Sequence, residues 1–158
     1  MTTKHQEIAE RLSREFEIGD RHIQRIEEAL NRLSSVLPLS LETYMDLDEE
    51  QVRCIDQFIF RFSKLQDAMG AKLFRYILEY LDEDISSVPM RDILNRLERY
   101  QLINSAEEWV YMRELRNEIA HDYPLFENDI VNILNELISK ISVLRDIYGR
   151  LKKVYLNS

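Results

Sequence analysis

Residues 49–81 read EEQVRCIDQFIFRFSKLQDAMGAKLFRYILEYL, a stretch that contains no proline. Along it Val52, Ile55, Phe58, Phe62, Leu65, Met69, Leu73, Ile77 and Tyr80 recur in steps of three or four, the spacing that lines one face of an α-helix. The spacing predicts a long central helix from about Glu49 to Leu81. Asp48 is placed to cap it, with Glu49 and Glu50 in the first turn, where the helix N-terminus favours negative charge. Phe60, Phe74 and Tyr76 add apolar surface off the stripe, so cover is expected on more than one side, from a thick core or from a second copy of the chain.

The same period extends in both directions. Upstream, Pro38 and the acidic run Glu42 to Glu50 mark a loop. Before that loop Ile8, Leu12 and Phe16, then Ile23, Ile26, Leu30, Leu33 and Leu37, predict one long helix or two in line past Gly19 and Asp20. Downstream, Ser87 ahead of Pro89 starts a short amphipathic helix with Ile93, Leu94, Leu97 and Tyr100 on one face. Ser105 with Glu108 three residues later is a capping-box pattern that opens a helix carrying Trp109, Met112 and Leu115. A last helix is expected from about Asp129, with Ile130, Ile133, Leu134, Leu137, Ile141, Leu144, Ile147 and Leu151 on one side. The prediction is an all-α fold: an antiparallel, up-and-down bundle of four long helices plus a short one, forming a single domain over residues 1–158.

Composition narrows the function. Three glycines, three prolines and few β-branched runs argue against a sheet. A net charge of -8 argues against broad, non-specific nucleic-acid binding, so any RNA contact should be local. Basic residues gather at Arg91, Arg96 and Arg99, at Arg113 and Arg116, and at Arg145, Arg150, Lys152 and Lys153, runs that ordinarily form solvated helix faces. Cys54 is the only cysteine, which excludes an internal disulfide and a cysteine-rich metal site and fits a reducing cytoplasm. The opening residues lack the apolar core of a signal peptide, and no apolar run approaches membrane-spanning length, so a cytoplasmic protein without a membrane partner is expected. No glycine-rich phosphate loop, nucleophile elbow or pair of Glu-x-x-His motifs occurs, and neither a metal nor another cofactor is expected.

The chemistry gathers at Arg116-Asn117-Glu118-Ile119-Ala120-His121-Asp122-Tyr123-Pro124. Arg113, Asn117 and His121 follow the i, i+4, i+8 stripe of a helix, with Arg116 on its flank. Tyr123 precedes Pro124 and is thereby driven out of the α region, so the helix should end near Asp122 and set Tyr123 on an exit turn beside His121. A guanidinium grips phosphate oxygens through a planar fork of donors, and a histidine titrating near neutrality can move protons at a phosphodiester. These are the parts needed for metal-free RNA cleavage. Residue types and spacing alone also allow a structural reading, in which the arginines pair with Glu114, Glu118 or Asp122, His121 complements the helix C-terminus and Tyr123 packs on the turn.

The string Arg116-Asn117-x-x-Ala120-His121-x-Tyr123 resembles the signature of the HEPN superfamily and, within it, the HepT-like toxins. The matching core runs from about Glu107 to Tyr123. Residues 1–38 form an N-terminal segment outside the match. The resemblance implies a HEPN-like bundle and a metal-independent ribonuclease that works as a homodimer, with the arginine and histidine of both copies meeting in one cleft. It further implies that Arg116 stabilises phosphate, Asn117 orients it and His121 is general acid or base; Arg113, on the same helix stripe as Asn117 and His121, is a candidate RNA contact. The implied partner is a small nucleotidyltransferase antitoxin, which in some systems transfers AMP onto the tyrosine after the histidine, here Tyr123. The alternative within the same family is a non-catalytic HEPN protein that binds a nucleotidyltransferase.

Overall fold

Asp48 does cap the central helix: its Oδ1 accepts from the Gln51 N–H at 2.8 Å, and the Gln51 side chain accepts from the Asp48 N–H at 3.0 Å. The computed structural model describes residues 2–121 and 126–157, and among these it is helical with no strand. The central rod comprises α3 (Glu49–Ala68), a π turn over Met69–Leu73 and α4 (Phe74–Tyr80). The π turn has a cause in the sequence. Leu65, Met69, Leu73 and Ile77 repeat in steps of four, which on a 3.6-residue helix drift by about 40° per step; one wider turn takes up that drift and leaves all four fully buried.

Ahead of this rod, α1 (Lys4–Arg32) runs through Gly19 and Asp20 without a break. The expected loop before Asp48 holds an extra turn, α2 (Leu41–Met45), because Ser40 and Thr43 cap it reciprocally. Asn135 ties this segment down, donating to the Leu39 carbonyl and accepting from the Leu39 N–H, both at 2.8 Å. The short helix α5 (Met90–Arg99) follows Pro89, and Ser105 opens α6 (Ala106–Ala120) by accepting from the Glu108 N–H at 3.0 Å.

The last helix is two helices, α7 (Glu127–Ser139) and α8 (Ile141–Leu156). Lys140 caps the end of one and the start of the other. No proline or glycine forces this break. It arises from packing, since α7 lies against α2 and α6 whereas α8 lies against α1 and α4, and one straight apolar face cannot serve both directions.

Side-chain pairs fix the up-and-down order. Arg32 meets Glu50, Arg61 meets His22 and Lys72 meets Glu15, so α1 and the central rod are antiparallel. Asp67 meets Arg116 and Phe74 meets Trp109, so α6 is also antiparallel to the rod, on another face. Arg145 meets Glu27 and Lys152 meets Asp20, which sets α8 antiparallel to α1. The fold is an all-α helical bundle of the expected kind. Its core centres on Phe58, Phe62, Phe74 and Trp109, each no more than 1% exposed. Phe74, read from sequence as off-stripe surface, belongs to this core because α6 covers it. Tyr76 is half-buried against the core, and Phe60 alone of the three is exposed, at 51%. Val52, counted in the buried stripe, is instead exposed. Among the described residues no helix is long and apolar enough to cross a membrane.

Candidate functional site

α6 carries the motif, and its packing decides what each motif residue can reach. Its buried face holds Trp109, Met112, Leu115 and Arg116. Arg116 therefore occupies a core position, not the flank of an open stripe. Its guanidinium reaches across to Asp67 on α3, Nη1 to Oδ1 at 2.9 Å, with the arginine side chain 10% exposed and the aspartate mostly in solvent. Neither Glu114 nor Glu118, considered from sequence, is in that pair, and Asp122 lies outside the described residues. The pair that Arg116 makes is long-range, to a neighbouring helix.

The other expected site residues lie elsewhere on the helix. Arg113 and His121 are exposed and Asn117 is half-buried. At 100° per residue, Arg116 and His121 stand about 140° apart around the axis, and Arg116 and Asn117 about 100°. His121 closes α6 as its C-cap, its N–H donating to the Asn117 carbonyl at 3.2 Å. The helix thus stops within two residues of the expected point. Tyr123 lies outside the described residues. Arg113 faces a groove between α5 and α6 that it shares with Arg91, Leu94 and Tyr111. The structure accordingly brings Arg113, Asn117 and His121 to one side of α6 and sends Arg116 to the adjoining, α3-facing side.

α3 and α6 also carry buried polar atoms that the sequence reading missed. Ser63 Oγ, both amide atoms of Gln66, Glu108 Oε1, Trp109 Nε1 and Arg116 Nε are buried without a hydrogen-bond partner among the described residues. All lie on α3 or α6. Gln66 is 1% exposed although it is polar at both ends. Unsatisfied buried polar atoms are costly, so each of these is a weak point in the packing of α3 and α6. The sequence signal was Ser63 and Gln66, each next to a residue of the apolar stripe, Phe62 and Leu65. Among the described residues no three histidine, cysteine, aspartate or glutamate side chains are grouped to hold a metal ion.

No family model, curated protein or solved structure matches this chain.

Proposed function

We propose that this chain is a HepT-like, metal-independent endoribonuclease of the HEPN superfamily, active as a homodimer and neutralised by a nucleotidyltransferase antitoxin that AMPylates Tyr123. The observation that carries this reading is the string Arg116-Asn117-x-x-Ala120-His121-x-Tyr123 at the end of a helix in an all-α bundle. The angular split between Arg116 and His121 supports the dimeric form. One copy offers an inward guanidinium and an outward imidazole on different sides of α6, so a phosphate needs groups from a second copy to be gripped and proton-serviced together.

In the proposed reaction the ribose 2′-oxygen attacks the adjacent phosphorus and loses its proton to one copy of His121. The bond from phosphorus to the 5′-oxygen breaks, and that oxygen takes a proton from the other copy. The products are a 2′,3′-cyclic phosphate and a free 5′-hydroxyl. Arg116 balances the charge gathering on the phosphate oxygens and Asn117 orients them. Positioned proton transfer of this kind is worth about 10²- to 10⁴-fold in rate. AMP on Tyr123 would add bulk and negative charge close in sequence to His121, competing for the same phosphate site.

A second reading is favoured by one observation, the Arg116–Asp67 pair, which already gives the arginine an anionic partner. In it the chain is a non-catalytic HEPN protein that binds a nucleotidyltransferase. Digestion of RNA in chelator by the wild type and by His121→Ala separates the two. Cleavage to 2′,3′-cyclic ends by the wild type alone is the expected result. Equal inactivity of both, with dimers confirmed, overturns the nuclease reading in favour of the binding partner.

A further inference from the structure

A groove between α1 and α3 is lined by Arg25 and Arg32 from one helix and Arg53 and Arg61 from the other. Four guanidiniums on one groove are notable in a chain of net charge -8. The carboxylates that accompany them are weak competitors. Glu28 and Glu50 also line the groove, and Arg25–Glu28 at 3.1 Å, Arg32–Glu50 at 3.1 Å and Arg53 with Glu49 at 3.4 Å and Glu50 at 3.6 Å are all pairs of largely exposed side chains, which rearrange at little cost. Arg61 is different. Among the described residues it has no carboxylate within ion-pair distance, its Nε is buried without a partner, and its Nη1 lies 3.2 Å from His22 Nδ1. Burial, then the charges of Arg61 and Lys64, lower the His22 pKa, so the imidazole stays neutral and accepts the guanidinium proton instead of repelling it. Arg61 is thus pinned at the groove with its positive charge uncancelled.

The surface next to Arg61 supplies a second element. Phe60 is half exposed, with the Arg61 guanidinium carbon 5.6 Å and the Lys64 ammonium 5.6 Å from its ring centroid. Around the α3 axis the order from the groove is Arg61, Lys64, Phe60 and then Asp67, spread over about 120°. Lys64, Phe60 and Asp67 are all exposed, and Asp67 holds Arg116. A continuous outer strip of α3 therefore leads from the arginine groove, past an aromatic ring flanked by cations, to the motif on α6.

We propose that the α1–α3 groove is a binding track for single-stranded RNA, its phosphates held by Arg25, Arg32, Arg53 and Arg61 and a base stacked on Phe60. A cationic groove that follows the backbone beside an aromatic platform is how proteins hold single strands without reading sequence. An acidic protein segment would use the arginines but not the stacking ring. The destination of the track, the α6 motif, rests on the ribonuclease reading; the binding itself does not.

The test uses the full chain carrying His121→Ala, so that bound RNA is not cut, and a short fluorescent single-stranded oligoadenylate read by anisotropy across a salt series. Arg25, Arg32 and Arg53 are exposed, so a triple glutamine variant keeps the fold, which circular dichroism checks. It should lose about 10-fold or more in affinity at physiological salt and flatten the salt slope by about 2, as expected for three lost phosphate contacts to a single strand. Phe60→Ala should weaken binding by about 5-fold or more with the salt slope unchanged. Arg99→Gln, on α5, should do neither. Absence of binding by the parent, unchanged affinity in both groove variants, or equal displacement by polyglutamate overturns the proposal, the last assigning the groove to an acidic protein segment. Wild-type cleavage is scored separately. Cleavage with unaltered groove-variant affinity removes the track and keeps the nuclease; weakened groove binding without cleavage keeps the track and removes the nuclease.

Discussion

The Arg116 guanidinium is held by the Asp67 carboxylate of another helix, Nη1 to Oδ1 at 2.9 Å, with the arginine buried and the aspartate at the surface. Removing the aspartate strands a charge that cannot easily return to water. Asp67→Ala is expected to destabilise the fold by about 1–2 kcal/mol, less than for a fully buried pair because Asp67 is wetted. Asp67→Asn, which keeps an acceptor, should lose less. Urea unfolding of the two variants checks the order, and equal stability of Asp67→Ala and wild type would show that the pair holds nothing.

Gly19 and Gly149 make opposite predictions for the same substitution. A Cβ at Gly19 would lie 2.6 Å from the Tyr148 ring and hydroxyl. That ring cannot easily yield, since its hydroxyl donates at 2.8 Å to the Phe16 carbonyl and lies 2.7 Å from Asp20. Gly19→Ala should therefore cost about 1–3 kcal/mol through overpacking, despite alanine's better helix propensity. At Gly149 a Cβ meets nothing within 4 Å, and Gly149→Ala should gain up to about 1 kcal/mol. Thermal melts of the two variants that moved in the same direction would contradict this.

Asn135 is the clamp that joins α7 to the segment before α2. Its carboxamide satisfies both backbone groups of Leu39. Asn135→Ala leaves them without that partner and is expected to cost about 1–3 kcal/mol. Hydrogen exchange at the Leu39 amide should accelerate in the same variant, and an unchanged rate there would refute the role of the clamp.

His22 makes stability depend on pH. Its folded pKa lies below the ordinary 6.5, chiefly through burial and secondarily through Arg61 and Lys64. The unfolded chain then binds the proton more readily, so this contribution is complete above about pH 6.5 and is lost as pH falls through the folded value. The melting temperature should fall between about pH 7 and 5.5, and His22→Gln, which can still accept from Arg61, should flatten that fall. An equal slope in both proteins would assign the dependence to other groups.

Helices, caps and most of the core were legible in the sequence because they follow from local rules. Steps of three and four marked the apolar face of each rod, and Asp48 and Ser105 cap where their side chains and positions require. The local capping box of α2 was there to be read, but the other misses share one origin. Phe74 read as surface until α6 covered it, and the break at Lys140 exists only because α7 and α8 lean on different neighbours. The arginine groove was invisible for the same reason, since Arg25 and Arg32 are far in sequence from Arg53 and Arg61 and join them only when α1 and α3 pack antiparallel.

For the motif, the chain order determined which residues lie at the end of α6, their spacing and the end of the helix itself, because backbone geometry and capping act within a few residues. Only the tertiary structure decided that Arg116 faces inward to Asp67 while His121 faces solvent. Which side of a helix is buried depends on the elements laid against it, and an ion pair across two helices depends on the distance that packing leaves between them. Neither quantity is written in the residues from Ala106 to Ala120 alone.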